Sequence, residues 1–392
     1  MAGSHARPTA VRGLRATAVV IALAACLAAA CLAAAPSAAA ASDRTHGPAV
    51  VELGTLGGSE SSAVDINDRG IVVGHSTRAD GQTHAFLWQR GVMTDLGTLG
   101  GDFSAAVAVN EAGHVIGDSR TADGRSHAFL WRDGEMADLG PADGWSWSAG
   151  INAADVVVGT SRAASDNLGY AVRWRRGHTE ILDATNAGSA VAVNDHGLVA
   201  GRTNAGAVLW TRQGVVPLGT LGGEYSFVSA LNEAGAVTGF SQTAAGQSHG
   251  FLWRRGVMTD LGTLGGEFSN PTALNERGDV VGYAARSGGE SHAFLWDRDG
   301  IRDLGSLGGH NPATGVDSIA LAVNNRGLVA GISNGPDGSS HAVAWRSGQL
   351  TDLGAGAARD VNVRGWVAGF AATSGGNHAA VWWLGSSAAA EL

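Results

Sequence analysis

Histidine recurs at one position of a repeated pattern in this sequence, and its imidazole is the side chain best suited to chemistry. It stands at His84, His127, His249, His292, His341 and His378. Imidazole can bind a metal ion or transfer a proton near neutral pH. These equivalent positions lie in separate repeats, so they cannot share one ion at the ligand distances of about 2 Å that metals require. We therefore expect the histidines to make structural hydrogen bonds, and we expect no metal site and no cofactor.

A second set of candidate residues stands seven positions before an asparagine that also recurs. The set is Glu60, Phe103, Trp145, Ala187, Tyr225, Phe268, Asp317 and Ala355, with Trp147 as an additional aromatic residue. Exposed aromatic faces stack on sugar rings or hold peptide side chains. The set without its two alanines therefore predicts a ligand site at one mouth of a ring of repeats. The alternative is that these side chains are hydrophobic plugs that cover the ends of the repeats.

Two carboxylates occupy a position where most repeats have alanine. Asp65 and Asp360 stand two residues before the recurrent asparagine in the first and last repeats, which become neighbours only if the repeats form a ring. Two carboxylates can bind Ca²⁺ or act as an acid/base pair, so both are candidates for a metal site or for catalysis. The alternative is a pair of solvated or arginine-paired acids, because Arg359 is adjacent in sequence. No catalytic residue is assigned, since the short motifs of calcium loops, zinc proteases and serine hydrolases are missing from the sequence.

These candidates are positioned by a repeat that extends through most of the chain. Its asparagine stands 38 to 49 residues apart at Asn67, Asn110, Asn152, Asn194, Asn232, Asn275, Asn324 and Asn362. A glycine follows each asparagine by seven residues, and a tryptophan closes each unit. A period of about 42 residues is typical of four-stranded propeller blades. The pattern therefore predicts eight units of one supersecondary structure.

Each unit divides into four short β segments. In the first unit these are residues 62–66, 71–74, 84–88 and 93–97, which alternate apolar with small or polar side chains. Between the first two segments the asparagine is expected to bind its own backbone, while a glycine supplies positive φ. This structural role is expected of Asn67, Asn110 and Asn275. Because no segment has a helical period, the predicted fold class is all-β.

The two ends of the repeat array complement each other. Residues 50–58 have the sequence of a fourth strand and linker without the three strands that should precede them. The eighth unit ends near residue 384 without a fourth strand. We therefore expect an eight-bladed β-propeller closed by the N-terminal strand, because this pairing removes an exposed sheet edge. The alternative is an open β-solenoid, whose two ends would need polar caps.

The first forty residues have the organisation of a secretory signal peptide. Arg7, Arg12 and Arg15 precede an apolar run, and a small-residue cleavage site follows near Ala41. We therefore expect secretion to the extracellular medium. The expected domains are a signal peptide at 1–41, a linker at 42–49, the propeller at 50–384 and a C-terminal tail at 385–392.

A lipid anchor is the alternative to free secretion. The segment that ends at Cys26 resembles a bacterial lipobox, in which a lipid is attached to the cysteine and the protein stays at the cell surface. We expect no membrane span, because the apolar run consists mainly of alanine and a spanning helix needs about 20 strongly apolar residues.

The charge of the chain excludes some partners. Its 26 basic residues, all of them arginine, face 35 acidic residues, for a formal net charge of −9. An acidic chain without basic clusters does not suit nucleic acid or an anionic membrane surface. We expect no nucleic-acid partner, and we expect a monomer.

The repeated motifs resemble those of a known family. His-Ala-Phe-Leu-Trp occurs at 84–88, 127–131 and 292–296, and Asp-Leu-Gly-Thr-Leu-Gly-Gly follows at 95–101 and again at 260–266. These motifs resemble the HAF-repeat family of extracellular bacterial proteins, over positions 50 to 384. The resemblance implies an extracellular repeat protein and implies no particular activity or catalytic residue. Units three and four depart from the motif, since Tyr170 and Gly206 replace the histidine.

The functional expectation that follows is a secreted, non-enzymatic binding module. Its ligand would be a carbohydrate or a peptide, held at the face of the ring where the linkers enter the units. One alternative is an extracellular hydrolase or lyase that uses carboxylates at the channel mouth, namely Glu60, Asp65, Asp317 and Asp360. A second alternative is a structural or adhesive surface protein, in which the aromatic residues of the mouth would be buried.

Overall fold

The computed structural model describes residues 49–165, 168–310 and 315–385. The expected signal peptide, Cys26, and nearly all of the expected linker and tail lie outside these ranges. The described part of the chain consists of β-strands, turns and loops, which confirms the all-β prediction. Within it there is no helix that is long and apolar enough to cross a membrane.

The strands are numbered along the chain and grouped by repeat unit. Units one and two comprise β2 (Gly57–Ile66), β3 (Val72–Arg78), β4 (Thr83–Gln89), β5 (Val92–Asp95), β6 (Gly100–Val109), β7 (Val115–Thr121), β8 (Ser126–Arg132) and β9 (Glu135–Asp138). Units three and four comprise β10 (Gly144–Ile151), β11 (Val157–Ala163), β12 (Tyr170–Arg175), β13 (His178–Ile181), β14 (Gly188–Val193), β15 (Val199–Thr203), β16 (Gly206–Thr211) and β17 (Gly214–Pro217). Units five and six comprise β18 (Gly222–Leu231), β19 (Val237–Thr243), β20 (Ser248–Arg254), β21 (Val257–Asp260), β22 (Gly265–Leu274), β23 (Val280–Arg286), β24 (Ser291–Asp297) and β25 (Gly300–Gly305). Units seven and eight comprise β26 (Ser318–Val323), β27 (Leu328–Asn334), β28 (Ser340–Arg346), β29 (Gln349–Val361), β30 (Trp366–Thr373) and β31 (Gly376–Trp383), and β1 (Val50–Gly54) precedes unit one.

Within each unit the strands pair antiparallel in sequence order. Units one to six each form a meander of four strands. Strand β29 serves two units, because its first part pairs with β28 and its second part pairs with β30. This strand runs on without a break where Gly354 and Ala355 replace the longer linker of other units.

The turn after the first strand of each unit is built by its asparagine. In unit one, Asn67 Oδ1 accepts hydrogen bonds from the backbone N–H groups of Arg69 and Ile71, both at 3.0 Å. Gly70 adopts a φ of 80°, a left-handed conformation that favours glycine. The side chain therefore satisfies backbone donors that the tight turn leaves without strand partners.

The same asparagines connect the units to one another. The Nδ2 group of each one donates to the backbone carbonyl of the asparagine in the next unit, at 2.9–3.1 Å. The eighth, Asn362, donates to the carbonyl of Asn67 in the first unit at 3.0 Å. The first strands of successive units also contact one another, and β29 contacts β2. The hydrogen bonds therefore form a closed circuit.

Strand β1 pairs with the last strand of the eighth unit. Val50 lies opposite Trp382 and Glu52 opposite Ala380 in an antiparallel register with β31. The backbone N–H of Ala379 also donates to Ser61 Oγ of unit one at 2.8 Å. The N-terminal segment thus supplies the fourth strand that unit eight lacks in sequence.

The core lies between successive units, where one sheet face packs on the next. Phe86 and Trp88 of unit one are buried against Trp366 and Val381 of unit eight. Fully burying such a side chain stabilises the fold by about 1.5–3 kcal/mol. The repeated glycine permits close approach, since a Cβ on Gly74 would lie 2.0 Å from the carbonyl oxygen of Ser62.

Candidate functional site

Each histidine of the repeated motif pairs with a carboxylate on the neighbouring outer strand. The Nδ1 atoms of His84, His127, His249, His292 and His341 lie 2.7–2.9 Å from Asp95, Asp138, Asp260, Asp303 and Asp352, respectively. In unit eight the partner of His378 is Glu52 on β1, at 3.5 Å. Strand β1 therefore supplies unit eight with the acid that the other units carry on their own fourth strands.

These carboxylates have a second partner within their own turn. In unit seven, Asp352 Oδ1 accepts a hydrogen bond from the backbone N–H of Gly354 at 2.8 Å. The hydrogen bond to Asp352 raises the pKa of His341 above its ordinary value, against the opposing effect of burial. The described residues contain no group of three His, Cys, Asp or Glu side chains that could hold a metal ion.

The residues predicted to form a ligand site lie where the linkers enter the first strands, and we call this region the linker end. Phe103 and Trp147 are 38% and 41% exposed. Trp145, Tyr225 and Phe268 are half-buried, and Glu60 is exposed. The aromatic side chains at the linker end are therefore accessible to a ligand.

Asp317 does not belong to this accessible rim, contrary to the sequence expectation. Its side chain is buried, with 6% of the residue exposed. Asp317 Oδ1 lies 2.9 Å from Nδ1 of His310, a residue of the long linker that precedes β26. The linker histidine thus covers the carboxylate and removes it from the surface.

A cluster of aromatic rings lies at the linker end of unit five. Phe227 stacks on Phe240 with ring centroids 4.8 Å apart, and Tyr225 meets Phe227 edge-on at 5.8 Å. In unit six, Phe268 meets Tyr283 edge-on at 5.9 Å. These contacts hold the rings in fixed positions, which lowers the entropy cost of binding a ligand against them.

Arginine side chains cover several of the same rings. The guanidinium carbon of Arg162 lies 4.9 Å from the Trp145 ring centroid, and that of Arg202 lies 4.8 Å from the Phe227 centroid. Arg120 lies more loosely over Phe103 at 6.0 Å. The linker end therefore combines aromatic surface with positive charge in an otherwise acidic chain.

Two buried titratable groups lie on the second strands, behind the linker end. Burial raises the pKa of Asp118 to about 7, although the carboxylate accepts hydrogen bonds from the backbone N–H and hydroxyl of Ser148. Burial, and then the positive charge of Arg359, lower the pKa of His75 to about 4. His75 is therefore neutral near neutral pH, whereas Asp118 is protonated only below about pH 7.

The structure brings Asp65 of unit one and Asp360 of unit eight together. Asp65 Oδ2 accepts a hydrogen bond from the backbone N–H of Val109 at 2.7 Å, and Asp360 Oδ2 accepts one from that of Ile66 at 3.1 Å. Burial, followed by the neighbouring charge of Asp360, raises the pKa of Asp65. Each carboxylate therefore connects its strand to the first strand of the next unit.

The opposite end of the first strands, which we call the turn end, carries acids directly after the asparagines. Their oxygens accept backbone hydrogen bonds from the preceding unit, as Glu111 does from Asp68 N–H at 3.0 Å and Glu276 from Glu233 N–H at 3.1 Å. A cavity of about 230 Å³ is lined by residues from several of these turns. The acids at the turn end thus form hydrogen bonds between neighbouring units, whereas the linker end carries aromatic rings and arginines.

The sequence interpretation missed Phe227, Phe240, Arg162 and Arg202. The two phenylalanines stand five residues before and eight residues after the asparagine of their unit, and they are paired across the strands. Because side chains alternate along a strand, positions five and seven residues before the asparagine share one face. This alternation, extended to the second strand, is the signal that could have found them.

No family model matches the sequence, and no curated protein matches it. Among solved structures, the puromycin-hydrolyzing peptidase of Mycobacterium tuberculosis is 15% identical, with a TM-score of 0.45, over 85% of this chain and 60% of the peptidase. This chain thus spans about three fifths of the peptidase's length.

Two further structures are similar at the same low level. The β-propeller domain of the Trilobed protease from Pyrococcus furiosus, described as having an open velcro topology, is 11% identical with a TM-score of 0.41 over 82% of this chain and 95% of that domain. The SapL1 lectin in complex with alpha methyl fucoside is 12% identical with a TM-score of 0.34 over 76% of this chain and 96% of the lectin. Similarities at this level assign neither a ligand nor an activity to the chain.

Proposed function

We propose that this chain is a secreted, eight-bladed β-propeller of the HAF-repeat kind that binds a carbohydrate or a peptide at its linker end. Two features support the closed ring over an open solenoid. The asparagine hydrogen bonds return from Asn362 to Asn67, and β1 completes the sheet of unit eight. An open solenoid would leave both of these groups of contacts unmade.

The family assignment is supported by the contacts of the repeated motif. The histidine that opens His-Ala-Phe-Leu-Trp pairs with the aspartate that opens Asp-Leu-Gly in the same unit, as His84 does with Asp95. The phenylalanine of the motif, such as Phe86, is buried between units. The two motifs are therefore parts of one structural unit, which explains why they recur together.

The observation that carries the binding proposal is the accessibility of the aromatic residues at the linker end. Hydrophobic plugs would be buried, whereas Phe103 and Trp147 expose more than a third of their surface. Large exposed aromatic side chains on a rigid scaffold are suited to contact sugars or peptide side chains. The structural or adhesive alternative predicts that these aromatic residues are buried, and Phe103 and Trp147 are not.

The four carboxylates considered for a hydrolase do not gather at one channel mouth. Asp65 and Asp360 lie near the turn end and accept hydrogen bonds from backbone amides. Glu60 and Asp317 lie at the linker end of their units, where Asp317 is covered by His310. We therefore propose binding rather than hydrolysis.

A glycan and peptide array tests the proposal. The wild type, Trp145→Ala and Trp147→Ala are compared with Val257→Ala, a control on the outer strand β21 where Val257 is 65% exposed. We expect the wild type and the Val257→Ala control to bind the same ligands, and both tryptophan variants to lose most of that signal. Equal signals for the wild type and both tryptophan variants would contradict a site at the linker end.

A further inference from the structure

Two half-buried arginines at the linker end, Arg162 and Arg202, lack an acidic partner among the described residues. Arg359 is a third half-buried arginine in this state. No carboxylate among the described residues lies within 4.0 Å of either guanidinium group, whereas Arg125 and Arg173 are paired with acids. Neither side chain makes a hydrogen bond to a described residue, and Nε of Arg162 is buried without a partner. A ligand that brings hydrogen-bond acceptors to these guanidinium groups would satisfy donors that have no partner among the described residues.

The two arginines are held in place by aromatic rings. Arg162 lies across the strand pair from Trp145 and covers its ring at 4.9 Å. Arg202 covers Phe227 at 4.8 Å, and burial lowers the pKa of Arg202. An arginine over an aromatic ring keeps its N–H groups at the edge of the planar guanidinium, where they can bind both oxygens of a carboxylate.

Small side chains separate two groups of aromatic residues at this place. Unit four has Ala187 and Ser189 at the positions where unit three has Trp145 and Trp147 and unit five has Tyr225 and Phe227. The first strands β10, β14 and β18 are neighbours in this order. Unit four thus presents little side-chain bulk between aromatic residues of both flanking units.

The carboxylate in the linker of unit four is engaged within that linker. Asp183, in the linker of unit four, accepts hydrogen bonds from Thr185 and Asn186, and these bonds lower its pKa. It closes the turn of its own linker. The positive charges of Arg162 and Arg202 are therefore left without an internal counterion among the described residues.

We propose that the linker end at units three to five binds an acidic saccharide, with Arg162 and Arg202 each receiving a uronate carboxylate and the flanking aromatic residues contacting the sugar rings. This inference rests on the proposed function and specifies its ligand. A sugar ring that bears a carboxylate matches both features of the site, since aromatic faces contact the ring and the guanidinium groups contact the charge.

Binding to short acidic oligosaccharides tests the inference. Oligogalacturonate, alginate oligomers and hyaluronan oligomers are titrated into the full mature chain by calorimetry, beside methyl-esterified oligogalacturonate and an oligoglutamate peptide. We expect at least one acidic oligosaccharide to bind. Arg162→Gln and Arg202→Gln should each weaken that binding at least tenfold. Arg162→Lys, which keeps the charge but loses the planar fork, should recover only part of it.

The control variant is Arg175→Gln, which removes the same charge from an exposed position at the end of β12. It should bind as the wild type does, and thermal unfolding should show that all variants are folded. If the methyl ester binds as tightly as the acid, or if Arg162→Gln and Arg202→Gln bind normally, the inference is overturned.

The remaining outcomes separate this inference from the proposed function. Binding of neutral sugars that depends on Trp145 and Trp147 but not on the arginines would overturn the acidic ligand and leave the binding module intact. If oligoglutamate binds and none of the acidic saccharides does, the assignment of the ligand as a saccharide is overturned. No binding in the titrations or on the glycan and peptide array would contradict both.

Discussion

The buried carboxylate of Asp118 makes the stability of the protein depend on pH in a direction opposite to that of an ordinary salt-bridged acid. Its pKa is about 7 in the folded protein, against an ordinary value of 3.8. The folded state therefore keeps a proton that the unfolded chain releases. The contribution to stability is fully present below about pH 4 and is lost as the pH rises through about 7.

The size of this effect follows from the shift. A difference of about three pH units, at about 1.36 kcal/mol per unit, corresponds to about 4 kcal/mol of lost stability above neutral pH. Asp118→Asn removes the titration but keeps an oxygen that can accept the hydrogen bonds from Ser148. We expect this variant to match the wild type near pH 4 and to exceed it by up to about 4 kcal/mol at pH 8.

Urea unfolding at several pH values between 4 and 8 measures the difference directly. Glu135→Gln, an exposed carboxylate in the same unit, is the control and should give a constant difference from the wild type. Parallel pH profiles for Asp118→Asn and the wild type would refute the reasoning, because they would show that Asp118 is ionised in the folded protein.

Three further predictions concern closure, the repeated histidine and export. Leu53→Ala on β1 should lower the free energy of unfolding by about 2–5 kcal/mol, whereas Val51→Ala, at a more exposed position of the same strand, should change it less. Equal effects in urea unfolding would place β1 outside the folded sheet. His341→Gln should destabilise the protein more at pH 6 than at pH 9. The reason is that the stability gained from the raised pKa of His341 is present at low pH and is lost as the pH rises through that pKa. A pH-independent difference in thermal unfolding would contradict the pairing of His341 with Asp352. N-terminal sequencing of the protein secreted by a bacterial host should begin near Ser42, and a lipid-modified Cys26 in the membrane fraction would establish the alternative.

The strand pattern could be predicted from the sequence because it depends on local signals. Alternation, the Asn–Gly turns and the missing fourth strand of unit eight correctly predicted the all-β class and the partner of β1. The bonds between units could not be predicted in this way. That Asn67 donates to the carbonyl of Asn110 depends on how two turns meet, and no single repeat contains this information.

The candidate site was predicted only in part, for two physical reasons. The first reason is a bulge in β2, which shifts the strand register between Ala63 and Asp65 and so changes the direction of the side chains there. Such a bulge cannot be recognised from a single sequence. The second reason is that the partners of Trp145 and Phe227 are arginines on second strands, one of them in a different unit. Sequence spacing along one strand does not show which side chain covers a ring from another strand.

The distribution of repeated and non-repeated residues indicates how this fold can carry a specific site. The asparagines, the glycines seven residues later and the closing tryptophans recur because each unit must make the same contacts with its neighbours. The positions seven and five residues before the asparagine are free of that requirement, and they hold tryptophans in unit three but alanine and serine in unit four. An identical residue in every unit would give every linker end the same chemistry, whereas unequal residues give units three to five a chemistry of their own. Binding to this protein should therefore depend on substitutions at units three to five and should tolerate the same kinds of substitution at the linker end of unit eight.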